Sequence, residues 1–262
     1  MKKLLATILV ALLSVTMFGC VSGPVNTWSE IEERGYFIVG LDDTFAPMGF
    51  RDDEGNLVGF DVDLAKEVAD RLGVDVVFQP IDWDAKVLEL NSGSIDMIWN
   101  GLTITESRLE EMCFSNPYIA NTQMIMIKSG SSIDTINDLV AQKVGVQISS
   151  ASESAVEDND LSSQFSEVVK YDTFNLALLE LENGTIDAVV IDEIMGRYIM
   201  SQSVGVYSVA SENFGSEEYG VGFRLESTSI RDMINQALQD MIADGTAAQI
   251  SITWFGEDVF LS

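Results

Sequence analysis

Arg108 falls in the first turn of a helix that the run Asn100-Gly-Leu-Thr-Ile-Thr-Glu-Ser-Arg108 begins near Thr105. The first four backbone N–H groups of a helix are unpaired and the macrodipole makes that end positive, so a cation there is unfavourable by itself. Together with Thr103 and those amides, however, it makes a compact anion site, and a guanidinium grips a carboxylate in bidentate fashion. An exposed arginine paired with Glu106 or Glu111 is the competing account. Asp192 argues against it. This residue ends a buried apolar strand over 186–191, where a carboxylate left dry and unpaired is costly, so it either caps the following helix or meets a cation. An anion grip on one wall and a cation grip on the other describe a receptor for a zwitterion, and α-amino acids are the common small zwitterions.

The two grips occupy matching places in a repeat. The segment Leu88-Glu-Leu-Asn-Ser-Gly-Ser-Ile-Asp96 returns ninety-one residues later as Leu179-Glu-Leu-Glu-Asn-Gly-Thr-Ile-Asp187, identical at six of nine positions. Each copy reads as a helix end, a turn and a buried strand, a βα-type unit built twice. Two similar α/β halves predict two lobes around a crevice, and in open α/β sheets ligands sit beyond the carboxyl ends of the strands. Beyond the first strand come Gly101, Thr103 and Arg108; in the second copy Asp192 takes the place of Gly101.

The elements that position these residues are legible from periodicity and turn chemistry. A buried strand is predicted over 37–41, and a hairpin over 50–59 with Gly55-Asn56 at its turn. Its acidic residues lack the alternating ligands of a calcium loop and read as a solvated turn. Asp61 is placed as the cap of a helix over 62–72, whose Leu64, Val68 and Leu72 share a face. A strand over 74–81, a helix over 84–91 and a strand over 96–100 follow. In the second half, a strand over 143–147 precedes Ser150 and Glu153, which have capping-box spacing; a helix over 174–182 leads through Asn183-Gly184 into the strand over 186–191. The chain closes with a helix over 230–244. The crossings between halves are expected to be short extended strands near 120–124 and 217–221.

Composition narrows the chemistry. A chain of 262 residues with 47% hydrophobic content can bury two modest cores, and the repeat favours two over one. Lys2-Lys3 followed by an apolar stretch ending at Gly19-Cys20 reads as an export leader, too short for a membrane span. Removing it leaves 12 basic against 42 acidic residues, a balance of −30. Such a surface repels phosphate backbones and anionic lipids, which excludes nucleic acid as a partner. The sequence contains no histidine and two cysteines, Cys20 and Cys113. No Ser/His/Asp or Cys/His nucleophile and no thiolate or histidine zinc site can be assembled, so neither metal nor cofactor is expected. Cys113 is expected to be a small buried apolar residue.

The run Asn100-Gly-Leu-Thr-Ile-Thr-Glu-Ser-Arg108, followed by Phe114-Ser-Asn-Pro-Tyr118 and preceded by Gly59-Phe-Asp-Val-Asp-Leu64, resembles the polar amino-acid-binding proteins of bacterial ABC importers, of the glutamine, histidine and lysine/arginine/ornithine type. The resemblance extends from about Trp28 to Gly256. It implies an α/β periplasmic-binding-protein-like fold of two similar lobes joined by a two-strand hinge. The lobes would be 28–121 with 221–262, and 122–220, preceded by a lipoprotein signal over 1–19 and a tether over 20–27. Cys20 would carry the lipid, the protein's only attachment to the membrane. Carried over by position, the resemblance implies that Arg108 and Thr103 hold a ligand α-carboxylate with backbone N–H groups around Ser150 and Ala151, where relatives commonly carry Gly-Thr at 149–150. Asp192 and the Gly101 carbonyl would take the α-ammonium. Phe45 and Trp83 would sandwich the side chain, with Asp42, Asn100 and Gln147 at its far end. That set favours a neutral polar or cationic amino acid. The implied partners are the free amino acid and an ABC permease, with the protein acting as a monomer.

Two other readings compete. The same bilobal fold occurs in a few dehydratases, and a sensor acting in trans with another membrane protein would need the same cleft.

Overall fold

The computed structural model describes Pro24 and residues 26–261. The expected leader over 1–19, the expected lipidation site Cys20 and most of the expected tether lie outside the described residues. In chain order the first part contains α1 (Trp28–Arg34), β1 (Tyr36–Leu41), β2 (Thr44–Phe45), β3 (Gly49–Arg51), β4 (Leu57–Val58), α2 (Phe60–Leu72), β5 (Asp75–Pro80), α3 (Lys86–Ser92), β6 (Met97–Ile98), α4 (Glu106–Glu111) and β7 (Met112–Phe114). Next come β8 (Ile119–Lys128), β9 (Lys143–Gln147), α5 (Ala151–Glu157), β10 (Glu167–Tyr171), α6 (Phe174–Asn183), β11 (Ala188–Asp192), α7 (Glu193–Gln202) and β12 (Tyr207–Tyr219). The chain ends in β13 (Gly222–Arg224), α8 (Thr228–Asp244) and α9 (Thr246–Phe255).

Two five-stranded sheets result, in the orders β5-β1-β6-β13-β7 and β10-β9-β11-β8-β12. They are built alike: three parallel strands, then a fourth that pairs antiparallel both with the third and with the fifth. Each sheet carries its own helices, which is the two-lobe arrangement. The chain passes between the sheets on β8 and β12, which pair from Ile119↔Tyr219 to Lys128↔Tyr207 with bulges between.

The repeat is the same local solution used twice. Gly93 and Gly184 end α3 and α6 in the left-handed region, with φ of +81° and +74°. Ser94 N–H then donates to the Glu89 carbonyl at 3.1 Å and Thr185 N–H to that of Glu180 at 3.0 Å, closing both helix ends in one pattern. Asp96 Oδ2 accepts from Ile38 N–H at 2.7 Å and Asp187 Oδ2 from Lys143 N–H at 2.8 Å, so each aspartate pins its strand to the parallel neighbour. In the first copy Arg224 reinforces the turn, donating to the carbonyls of Leu90 (2.7 Å) and Ile95 (2.6 Å).

Three expectations are corrected. The helix over 62–72 begins at Phe60 with Gly59 as its cap, because Gly59 at φ +147° lies where a Cβ would stand 2.2 Å from the Met48 carbonyl oxygen. Asp61 therefore does not cap; it turns inward, 1% exposed, and accepts from Gly101 N–H at 2.7 Å and the Tyr118 hydroxyl at 2.9 Å. Ser150 caps α5 as its spacing predicts, accepting from Glu153 N–H at 3.1 Å, but the Glu153 carboxylate reaches Ser149 N–H instead of completing the box. Ser149, at φ +56°, turns its own amide toward that acid. Cys113 is half-buried, and its thiol donates to the Arg224 carbonyl at 3.2 Å. Elsewhere α2 buries Phe60, Leu64, Ala65 and Val68 against the first sheet, each large side chain contributing about 1.5–3 kcal/mol of hydrophobic stabilisation.

Candidate ligand-binding site

The structure brings all eleven sequence-predicted residues to one small cavity of about 10 Å³: Asp42, Phe45, Trp83, Asn100, Gly101, Thr103, Arg108, Gln147, Ser150, Ala151 and Asp192, with Phe174 as the twelfth lining residue. They come from the C-terminal ends of β1, β6, β9 and β11, and from the loops and helix starts that follow.

Arg108 stands at the third position of α4. Its own N–H is held by the Thr105 hydroxyl at 3.2 Å, so the cap that starts the helix also fixes the residue carrying the charge. Nη1 donates to the Thr103 carbonyl at 2.8 Å and Nη2 to the Ser149 carbonyl at 3.2 Å. The side chain is 8% exposed and makes no ion pair with Glu106 or Glu111 among the described residues, so the exposed-pair account fails. Burial lowers its pKa, against the pull of Glu217 and Asp192. Opposite stand the first amides of α5, beginning at Ala151 and capped by Ser150, a second positive helix end aimed at the same cavity.

Asp192 stands at the N-cap position of α7 but its side chain makes no capping hydrogen bond, and among the described residues it pairs with no cation. Its Oδ1 accepts from Tyr219 hydroxyl at 2.6 Å, Asn121 Nδ2 at 2.8 Å and Gln123 Nε2 at 3.0 Å. Neutral donors from β8 and β12 thus do what the sequence reading assigned to a helix end or a cation. Burial, then the neighbouring Glu217 charge, raises its pKa to about 8. Gly101, the matching residue, has φ +60°, and a Cβ there would stand 2.8 Å from Phe45 Cε1 and 3.1 Å from Tyr219 Cε2. Thr103 donates its hydroxyl to Glu217 Oε1 at 2.9 Å.

At the far end, Asp42 Oδ1 accepts from Thr44 N–H (2.9 Å) and hydroxyl (2.6 Å), while Oδ2 accepts from Gln147 Nε2 at 2.8 Å. Asn100 Oδ1 takes Asp42 N–H at 3.0 Å, and its Nδ2 is buried without a hydrogen-bond partner among the described residues. Phe45 packs on Phe174 with ring centroids 6.0 Å apart, and Trp83 lies under Lys86 Nζ at 5.0 Å.

Three contributors escape the sequence reading. Phe174 begins α6 behind a Thr173 cap and reads as ordinary helix core. Lys86, 4% exposed, donates to the carbonyls of Trp83 (3.0 Å) and Ser149 (2.7 Å); burial and then the Arg108 charge lower its pKa to about 7. Glu217 sits in a Ser-Glu-Glu run that resembles a solvated face; its in-out alternation with Tyr219 on β12 is the one available signal. Among the described residues no group of three or more metal-ligating side chains could hold a metal ion, and no helix is long and apolar enough to cross a membrane.

A cavity between two α/β lobes, cationic at one end and acidic at the other, defines a two-lobe ligand-capture protein. The chain belongs to the bacterial extracellular solute-binding proteins, family 3, which it matches over residues 37–257. It is 33% identical to the L-cystine-binding protein TcyJ of Escherichia coli (strain K12) over 257 residues, covering 97% of this chain and 94% of that one. Among solved structures, an ABC uptake transporter substrate-binding protein from Streptococcus pneumoniae with bound histidine superposes with a TM-score of 0.88 at 37% identity, covering 90% of this chain and 99% of the other. An ancestral arginine-binding protein bound to arginine superposes with a TM-score of 0.81 at 41% identity, covering 85% and 99%. The sequence-based resemblance and the two-lobe fold it implied are therefore borne out.

Proposed function

We propose that this protein captures a polar or cationic α-amino acid between its lobes and delivers it to the permease of an ABC importer. The observation that carries the reading is the opposition of Arg108 and Asp192 across one cavity, each buried and neither in an ion pair among the described residues. Arg108 and Thr103, with the first amides of α5, take the α-carboxylate. Asp192 takes the α-ammonium with the Gly101 carbonyl. Phe45 and Trp83 flank the side chain, and Asp42, Asn100 and Gln147 receive its polar end, where the unpartnered Asn100 Nδ2 has a hydrogen to give. Relatives that bind histidine, arginine or cystine support a ligand with a polar side chain.

Closure supplies the energy of capture. A ligand on one lobe alone is half-hydrated and each ionic contact is worth little, whereas the second lobe excludes water and strengthens both. The lobes are 28–121 with 221–262, and 122–220, a division supported by the strand order of the two sheets. We place the protein outside the cytoplasm as a monomer held to the membrane through lipidated Cys20, and we assign it binding without turnover. A thermal-shift screen of the twenty common amino acids and L-cystine tests the reading, since a ligand that binds only the folded state raises the melting temperature. Stabilisation by L-histidine, L-arginine or another polar member is expected; an unshifted transition across the whole set removes the assignment.

A further inference from the structure

Glu217 Oε1 accepts from the Thr103 hydroxyl at 2.9 Å, Asn121 Nδ2 at 2.6 Å and Gln123 Nε2 at 2.8 Å. The same two amide nitrogens donate to Asp192 Oδ1, so each commits one hydrogen to either carboxyl. The amides are held in that sense from behind: Asn121 Oδ1 accepts from Ile194 N–H at 3.3 Å and Gln123 Oε1 from the Ser152 hydroxyl at 2.5 Å. Two carboxyl oxygens bridged by one pair of nitrogens, on residues buried or half-buried, are like charges at close range in a poorly hydrated place, where full ionisation of both is costly.

We propose that Glu217 is a second carboxyl of the ammonium end of the cleft, and that with Asp192 it holds one proton which an arriving α-ammonium displaces. The proposal rests on the amino-acid reading of the cleft. Its chemistry is simple. The Asp192 O–H bond breaks, the proton leaves to solvent, and the ammonium takes its place between the two carboxylates, with no electrons exchanged. The charged groups facing the pair are few. Arg108 reaches toward it from α4, and the Tyr219 hydroxyl from β12 donates to Asp192. Glu193, next along the chain, is engaged by Arg197, and Glu218 is exposed. Thr103, Asn121, Gln123 and Ser152 contribute neutral groups. The upward displacement of the Asp192 pKa by burial and by Glu217 has the sense this exchange requires. Glu217 thereby selects for an amino group: a desamino analogue would have to enter without displacing the proton.

The test is calorimetry of the intact protein with L-histidine and L-arginine, each in phosphate and in Tris, between about pH 6 and pH 8. A buffer-dependent heat corresponding to on the order of one proton released per ligand is expected, with the association constant rising by up to about tenfold per pH unit below the Asp192 pKa. Glu217→Gln is expected to remove most of both effects. Binding with no buffer-dependent heat, or an unchanged proton count in Glu217→Gln, overturns the proposal; a purely structural Glu217 would weaken binding equally at every pH. If neither ligand gives heat, it is the choice of ligand or the amino-acid reading that fails, and the proton is still accessible. Infrared difference spectra of the unliganded protein against Asp192→Asn should then show a protonated-carboxyl C=O band at about pH 6, above the ordinary carboxylate range, that fades as the pH is raised through the displaced Asp192 pKa. Absence of that band overturns the proposal without any ligand and without relying on the folding of Glu217→Gln.

Discussion

The two copies of the repeated segment make the same turn with the same glycine and the same aspartate, and then part. In the first, β6 stops after Met97 and Ile98, and the chain leaves the sheet through Gly101 in a left-handed conformation. In the second, β11 runs on in register with β8 up to Asp192↔Gln123. The first copy can accept no side chain at that point, since Phe45 and Tyr219 already fill the space. The second presents a carboxylate there because β8 and β12 bring Asn121, Gln123 and Tyr219 to hold it. Duplication thus supplies the frame, and the neighbouring strands decide which copy can carry charge. Each copy also keeps a buried acid at this point, but in different roles: Asp192 itself in the second, and in the first Asp61, reaching across from α2 to hold the Gly101 N–H.

The comparison can be broken most forcefully at Arg108. Replacing it with Ala should leave the bound carboxylate dry and unpaired and weaken amino-acid binding by about 2–5 kcal/mol, a rise in Kd of roughly thirtyfold or more. Calorimetry within about twofold of the parent would mean that the first copy does not carry the anion grip.

Asp61 gives a second, somewhat smaller effect. Burial raises its pKa from 3.8 to about 7 despite the Gly101 and Tyr118 hydrogen bonds. Between those values the folded protein binds more protons than the unfolded chain, so this group makes stability fall as pH rises through that window, with the full cost present above it. The total is on the order of 2–4 kcal/mol. Asp61→Asn removes the titration, so melting curves of the variant should lose that part of the decline between about pH 4 and pH 7. A decline of equal size in variant and parent would place the acid's ionisation elsewhere.

Gly101→Ala sharpens the contrast least violently. A side chain at φ +60° against Phe45 should cost about 1–2 kcal/mol in denaturant unfolding, whereas Asp192→Ala keeps an ordinary backbone and exerts its main effect on binding. Equal stability losses in the two would erase the distinction drawn between the copies.

Residues that announce themselves by type and spacing were legible from sequence alone. Arg108 after a Thr cap, Asp192 at the end of an apolar run, and the glycine and aspartate of both turns needed only local rules. Asp61 was misplaced because a cap and a buried acid look identical along one dimension; the turn that Gly59 makes against Met48 decides between them. Glu217 and Lys86 were invisible for a different reason. Each is polar on an element that reads as solvent-facing, and each is buried or half-buried by strands and loops distant in sequence.

The Ser149 carbonyl accepts both Lys86 Nζ and Arg108 Nη2, two cations from the facing lobe on one oxygen. For anyone building a fluorescent reporter from this scaffold, that oxygen is the contact to adjust, because it ties the two lobes together through protein atoms alone. A main-chain acceptor cannot be removed by substitution, so the adjustable partner is Lys86, and Lys86→Met is expected to lower the reporter's signal in the absence of ligand, since it deletes one of the two bonds to that oxygen and keeps the one from Arg108.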